Sequence, residues 1–121
     1  MSKTIMVVDD SASLRQVVKL ALTGAGYSVI EACDGRDALS KADGQRIHLV
    51  ISDVNMPNMD GITFVRQLKT HPAYKFTPVI MLTTESGEDR KSAGQAAGAK
   101  AWVTKPFLPA QMLSAVSKLI S

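Results

Sequence analysis

Five short apolar runs recur along the chain, at residues 4–8, 27–32, 48–52, 78–82 and 101–104. Each is rich in β-branched or other apolar residues, is too short for a helix, and is closed by polar or turn-forming residues. That is the pattern of strands buried on both faces. Between them the apolar spacing changes to a helical period. Leu14, Val17, Val18, Ala21, Leu22 and Ala25 follow i, i+3, i+4, i+7 spacing and predict a helix capped by Ser11 or Ser13 and closed by Gly24 and Gly26. A short helix opens at Asp34-Gly35, carries Ala38, Leu39 and Ala42, and stops at Asp43-Gly44. A third runs from about Gly61 to Lys69, burying Ile62, Val65 and Leu68, with Pro72 marking its end region. The stretch from Ser86 to Ala99 predicts a weak helix, since it holds Gly87, Gly94 and Gly98 and only alanines on its apolar face; equally, its small residues permit close packing on a sheet. Pro109 opens a last helix that buries Met112, Leu113, Val116, Leu119 and Ile120.

Strands alternating with helices imply parallel pairing, because each parallel connection needs a crossover, and crossovers are right-handed. The expectation is a doubly wound α/β fold of five parallel strands and five helices. A length of 121 residues suits one domain, so a single unit over 1–121 with no output domain is expected. Hydrophobic content of 45% and charged content of 21% are ordinary for a globular chain, and no apolar run approaches the roughly 20 residues that span a bilayer. Asp9 and Asp10 interrupt the first apolar run before a signal-peptide core can form. The lone Cys33 has no disulfide partner, fits a reducing cytoplasm and is expected to behave as a small apolar residue. A net charge of +3 and a pI near 9.2 raise the question of nucleic acid. The basic residues are scattered, however, without a helix-turn-helix or aromatic-basic alternation, so direct nucleic-acid binding is not expected.

Candidate chemistry collects at the strand ends. Alone, Asp53 after the third apolar run reads as a turn former. Yet strand one ends at Asp9-Asp10, strand four at Thr83 and strand five at Lys105, and in open parallel sheets the crevice beyond the carboxyl ends binds ligands. Three carboxylates brought together repel unless a cation lies between them, and hard oxygen donors without a Cys or His cluster suit Mg²⁺. With the cation present, Asp53 can attack phosphorus, since carboxylates serve as covalent nucleophiles. Lys105 and Thr83 would then supply the cation and hydroxyl that a transferring phosphoryl group needs. His48 and His71 lie away from these ends and receive no role, and an EF-hand reading fails because Phe64 stands where the bidentate glutamate belongs.

The ordered set Asp9-Asp10, Asp53 with Pro57 and Asp60-Gly61, Thr83, and Lys105-Pro106-Phe107 resembles the response-regulator receiver domain over the whole chain, most closely a single-domain, CheY-like chemotaxis regulator. The resemblance implies strand order 2-1-3-4-5, a histidine kinase as phosphodonor and Asp53 as acceptor. It implies Mg²⁺ held by Asp10, Asp53 and the Asn55 backbone carbonyl, with Asp9 contributing directly or through water. Lys105 would pair with a phosphoryl oxygen through a cis Lys105-Pro106 segment, Thr83 would bond another, and Trp102 would follow Thr83 inward in place of the more usual Tyr or Phe. Asn55 and Glu85 occupy the places that tune attack by water. A downstream protein would bind the face made by the Ser86–Ala99 stretch, the fifth strand and the last helix. Two rivals remain at this point. One is a phosphorylation-independent docking module; the other is a haloacid-dehalogenase-type phosphatase, which would need an acid where Asn55 stands.

Overall fold

The apolar runs form a single sheet because each can bury both of its faces. A computed structural model describes residues 3–42, 45–54, 59–83, 99–104 and 108–120. Its elements are β1 (Thr4–Val8), α1 (Ala12–Gly24), β2 (Ser28–Ala32), α2 (Gly35–Ala42), β3 (Leu49–Asp53), α3 (Gly61–Thr70), β4 (Val79–Thr83), β5 (Ala101–Thr104) and α4 (Pro109–Leu119). All pairings are parallel and the order is β2-β1-β3-β4-β5, as the resemblance implies. Four helices lie among the described residues; the predicted helix at Ser86–Ala99 falls, apart from Ala99, outside them.

Side-chain alternation along each strand divides the core in two. Ile5, Val7, Leu49, Ile51, Ile80 and Leu82 meet Val18 and Leu22 of α1 and Met112 and Val116 of α4. Met6, Val8, Val50, Val79 and Met81 face the other way, onto Ala38 and Ala42 of α2 and Phe64, Val65 and Leu68 of α3. Both faces are covered, so β3 and β4 are buried from end to end, while edge strand β2 has only Ala32 fully buried.

Helix ends follow from local hydrogen bonding. Ser11 rather than Ser13 caps α1, its hydroxyl accepting the Leu14 N–H at 3.3 Å. At the other end Tyr27 N–H reaches Leu22 O and Gly26 N–H reaches Thr23 O, with Gly26 at φ 96°, a Schellman closure that relies on glycine. Asp60 caps α3 by accepting the Thr63 N–H at 2.7 Å, and Pro109 opens α4 behind a Leu108 N–H that donates to Gln111 Oε1 at 2.9 Å. Val17 departs from its expected burial: it is 49% exposed, because the buried stripe of α1 runs through Leu14, Val18 and Leu22. Cys33 likewise is exposed rather than packed, since it lies just past the end of an edge strand.

Candidate functional site

Asp9 follows the last residue of β1, and Asp53 is the last residue of β3, beside it in the sheet. Val8 pairs with Ser52, so these carboxylates emerge at the same level of adjacent strands. Asp10 is the next residue along. Asp9 and Asp53 are only 1% and 6% exposed, whereas Asp10 is open to solvent. Each of the three offers a carboxylate oxygen, and these oxygens lie within 4.8 Å of one another.

Consecutive residues in an extended chain point to opposite sides, so Asp9 and Asp10 can converge only if the strand ends between them. It does. The Asp9 N–H still bonds Ala32 O at 3.1 Å, but its carbonyl accepts a hydrogen bond from Arg15 Nη1 at 2.5 Å. Its Oδ1 accepts the Ser11 N–H at 2.8 Å, which fixes the carboxylate at the mouth of α1.

The Asp53 main chain is equally constrained. Ser52 Oγ donates to Asp53 O at 3.0 Å, Val54 N–H bonds Leu82 O at 3.0 Å, and Gly61 N–H bonds Val54 O at 2.8 Å. A Cβ on Gly61 would stand 2.0 Å from Asp53 O, so the start of α3 can pack against this strand end only with glycine.

Thr83 is fully buried at the end of β4, one step beyond Leu82, the partner of Asp53. Trp102 pairs with Met81 in β5 and packs, half-buried, on the α2/α3 side of the sheet. Its Nε1 is buried and has no hydrogen-bond partner among the described residues. Asn55, Pro57, Glu85, Lys105, Pro106 and Phe107 lie outside the described residues. His48 and His71 sit at the amino-terminal end of the strands, where their Nδ1 atoms accept the Thr4 and Ala73 N–H groups at 3.0 and 3.1 Å.

The oxygen cluster fits a small divalent cation. All donors are hard carboxylate oxygens gathered within 4.8 Å of one another, the ligand type that Mg²⁺ takes. A separate open cleft of about 1020 Å³ lies between β5 and α4, lined in part by Trp102, Gln111, Ser114 and Lys118. Among the described residues that line this cleft there is no acidic side chain, whereas three carboxylates meet at the strand ends.

Sequence patterning missed Arg15 and Glu31. Arg15 Nε lies 3.4 Å from Glu31 Oε1, and Lys19 Nζ lies 3.4 Å from Glu31 Oε2, tying α1 to edge strand β2 beside the acidic cluster. The available signal was an arginine in the first turns of a helix that begins directly after a strand-end Asp9.

Comparison with known proteins agrees with this arrangement. Residues 5–117 match the response regulator receiver domain. Protein PilG of Pseudomonas aeruginosa is 37% identical over 112 residues, covering 93% of this chain and 83% of PilG. The structure of chemotaxis protein CheY4 of Vibrio cholerae superimposes with a TM-score of 0.96 at 45% identity, covering 99% of this chain and 100% of that one. The receiver domain of sensor histidine kinase PA1611 of Pseudomonas aeruginosa, with a magnesium ion coordinated in its active site cleft, gives a TM-score of 0.91 at 25% identity, covering 99% and 98%. From β1 into α4 the match follows the strand ends that carry the carboxylates, and the chain belongs to the response regulator receiver domain family, CheY-like in its fold.

Proposed function

We propose that this chain is a cytoplasmic phosphorylation switch of two-component signalling, with Asp53 as its phosphate acceptor, acting in a chemotaxis-type pathway. The observation that carries the reading is the convergence of Asp9, Asp10 and Asp53 oxygens within 4.8 Å at the carboxyl edge of the sheet. Likeness to CheY4 and to a magnesium-bearing receiver domain supports it.

In the proposed reaction a carboxylate oxygen of Asp53 attacks the phosphorus of a phosphohistidine on a partner kinase. A new O–P bond forms as the N–P bond breaks, and the electron pair returns to the histidine ring. Asp10, Asp53 and the Asn55 backbone carbonyl would hold Mg²⁺, with Asp9 contributing directly or through water. Bound there, the ion supplies charge neutralisation for both carboxylates and phosphoryl oxygens. Lys105 pairs with one phosphoryl oxygen and Thr83 donates its hydroxyl to another. Asn55 and Glu85 set the access of water to the acyl phosphate.

Thr83 and Trp102 belong to neighbouring strands β4 and β5, and in this reading the Trp102 ring moves inward when the Thr83 hydroxyl shifts toward the phosphoryl group. Among the described residues Trp102 Nε1 has no acceptor, which is consistent with a side chain that takes a second position. A downstream protein reads the result on the face of the 86–99 stretch, β5 and α4, where the open cleft lies.

Incubation with Mg²⁺ and a small phosphodonor such as acetyl phosphate tests the reading. Intact mass should show one phosphoryl adduct on the wild type and none on Asp53→Asn. An unmodified wild type, or an equally modified variant, would contradict it.

A further inference from the structure

The convergence of Asp9 and Asp10 calls for an explanation, because successive side chains along a strand diverge. The peptide between the two acids must turn out of the ladder, and its carbonyl then needs a new donor. Arg15 is that donor: Nη1 reaches Asp9 O at 2.5 Å while Nε faces Glu31 Oε1 at 3.4 Å. One planar guanidinium thus spans the end of β1 and edge strand β2, with Lys19 holding the second Glu31 oxygen at 3.4 Å. The Arg15 side chain is only 17% exposed, so little room is left for it elsewhere.

We infer that Arg15 is a positioning residue for the cation site: it fixes the Asp9–Asp10 peptide so that both carboxylates face Asp53. This rests on the reading of that cluster as the Mg²⁺ site. The expected effect has a sign opposite to that of simple electrostatics. A fixed positive charge near a dication repels it, so if Arg15 acted through charge alone, removing it would tighten Mg²⁺ binding. If Arg15 acts by orienting ligands, removing it loosens binding, as loss of supporting partners around a metal does.

Calorimetric titration with Mg²⁺, at a temperature where every variant is folded by circular dichroism, separates the two. Arg15→Gln should weaken Mg²⁺ binding by about tenfold. Arg15→Lys should fall between the two proteins, since an ammonium can reach the carbonyl but cannot also fork to Glu31. Because the titration reads affinity of folded protein, loss of stability alone does not move it. Binding by Arg15→Gln that equals or exceeds the wild type overturns the inference, as does Arg15→Lys binding more weakly than Arg15→Gln. Failure of the wild type itself to bind Mg²⁺ overturns instead the reading of the carboxylate cluster on which the inference stands.

Discussion

Gly61 limits the site more sharply than any charged residue near it. Its N–H bonds Val54 O, and an added Cβ would fall 2.0 Å from Asp53 O and 2.9 Å from Asp53 C. Those are backbone atoms of the proposed phosphoacceptor and cannot swing aside as a flexible side chain would. Gly61→Ala should therefore cost roughly 2–3 kcal/mol in urea unfolding and slow phosphorylation at Asp53 as well. A loss below about 0.5 kcal/mol would show that α3 does not press on Asp53 as described. At the opposite edge of the sheet, Lys69 is half-buried and donates to Thr77 O. Burial, and secondarily the charge of Lys100, hold its ammonium below the ordinary lysine value of 10.5. The folded chain thus releases this proton before the unfolded chain does, so the unfolded state binds more protons just below that value. Through this group stability rises with pH in that alkaline window. An NMR titration should place the Lys69 midpoint below 10.5, and Lys100→Gln should raise it. An ordinary Lys69 midpoint would contradict this.

The elements show which features a sequence can carry by itself. β1 and β5 match their expected spans, and β3 and β4 each run one residue further than expected, so that Asp53 and Thr83 are the last strand residues rather than the first loop residues. That shift matters because strand hydrogen bonds then fix both main chains. Buried parallel strands are legible because both faces are apolar, so nothing in their composition competes. The stripe of α1 was less legible: Val17 lies close in angle to the buried face, and only its neighbours in the fold decide that it stays outside. Gly26 and Gly61 also look alike in sequence but act differently. Gly26 has φ 96°, and a Cβ added there would meet no atom within 4 Å, so its requirement is purely conformational. Gly26→Ala should cost about 1–2 kcal/mol in thermal or urea unfolding and leave phosphorylation unchanged. A change in phosphorylation there would mean that the α1–β2 corner is coupled to the site.

Across the whole molecule, parallel topology gathers what the sequence disperses. β1, β3 and β4 end on one edge, which brings the Asp9-Asp10 pair, Asp53 and Thr83 to neighbouring positions although these three strand ends lie far apart in the chain. This much was readable, because a carboxylate or hydroxyl closing each apolar run signals the edge before the strand order is known. The tether from Arg15 to Asp9 O and Glu31 was not readable, since it depends on the turn of one peptide and the position of an edge strand. The family match fixes the fold and kinship of the chain; the role of Asp53 is settled only by chemistry. The most direct measurement is therefore location of the phosphoryl group: treatment with acetyl phosphate and Mg²⁺, borohydride reduction of the acyl phosphate, and peptide mapping by mass spectrometry. Reduction is expected at Asp53 alone, dependent on both reagents. Reduction at another carboxylate, or none at all, would contradict a phosphorylation switch centred on Asp53.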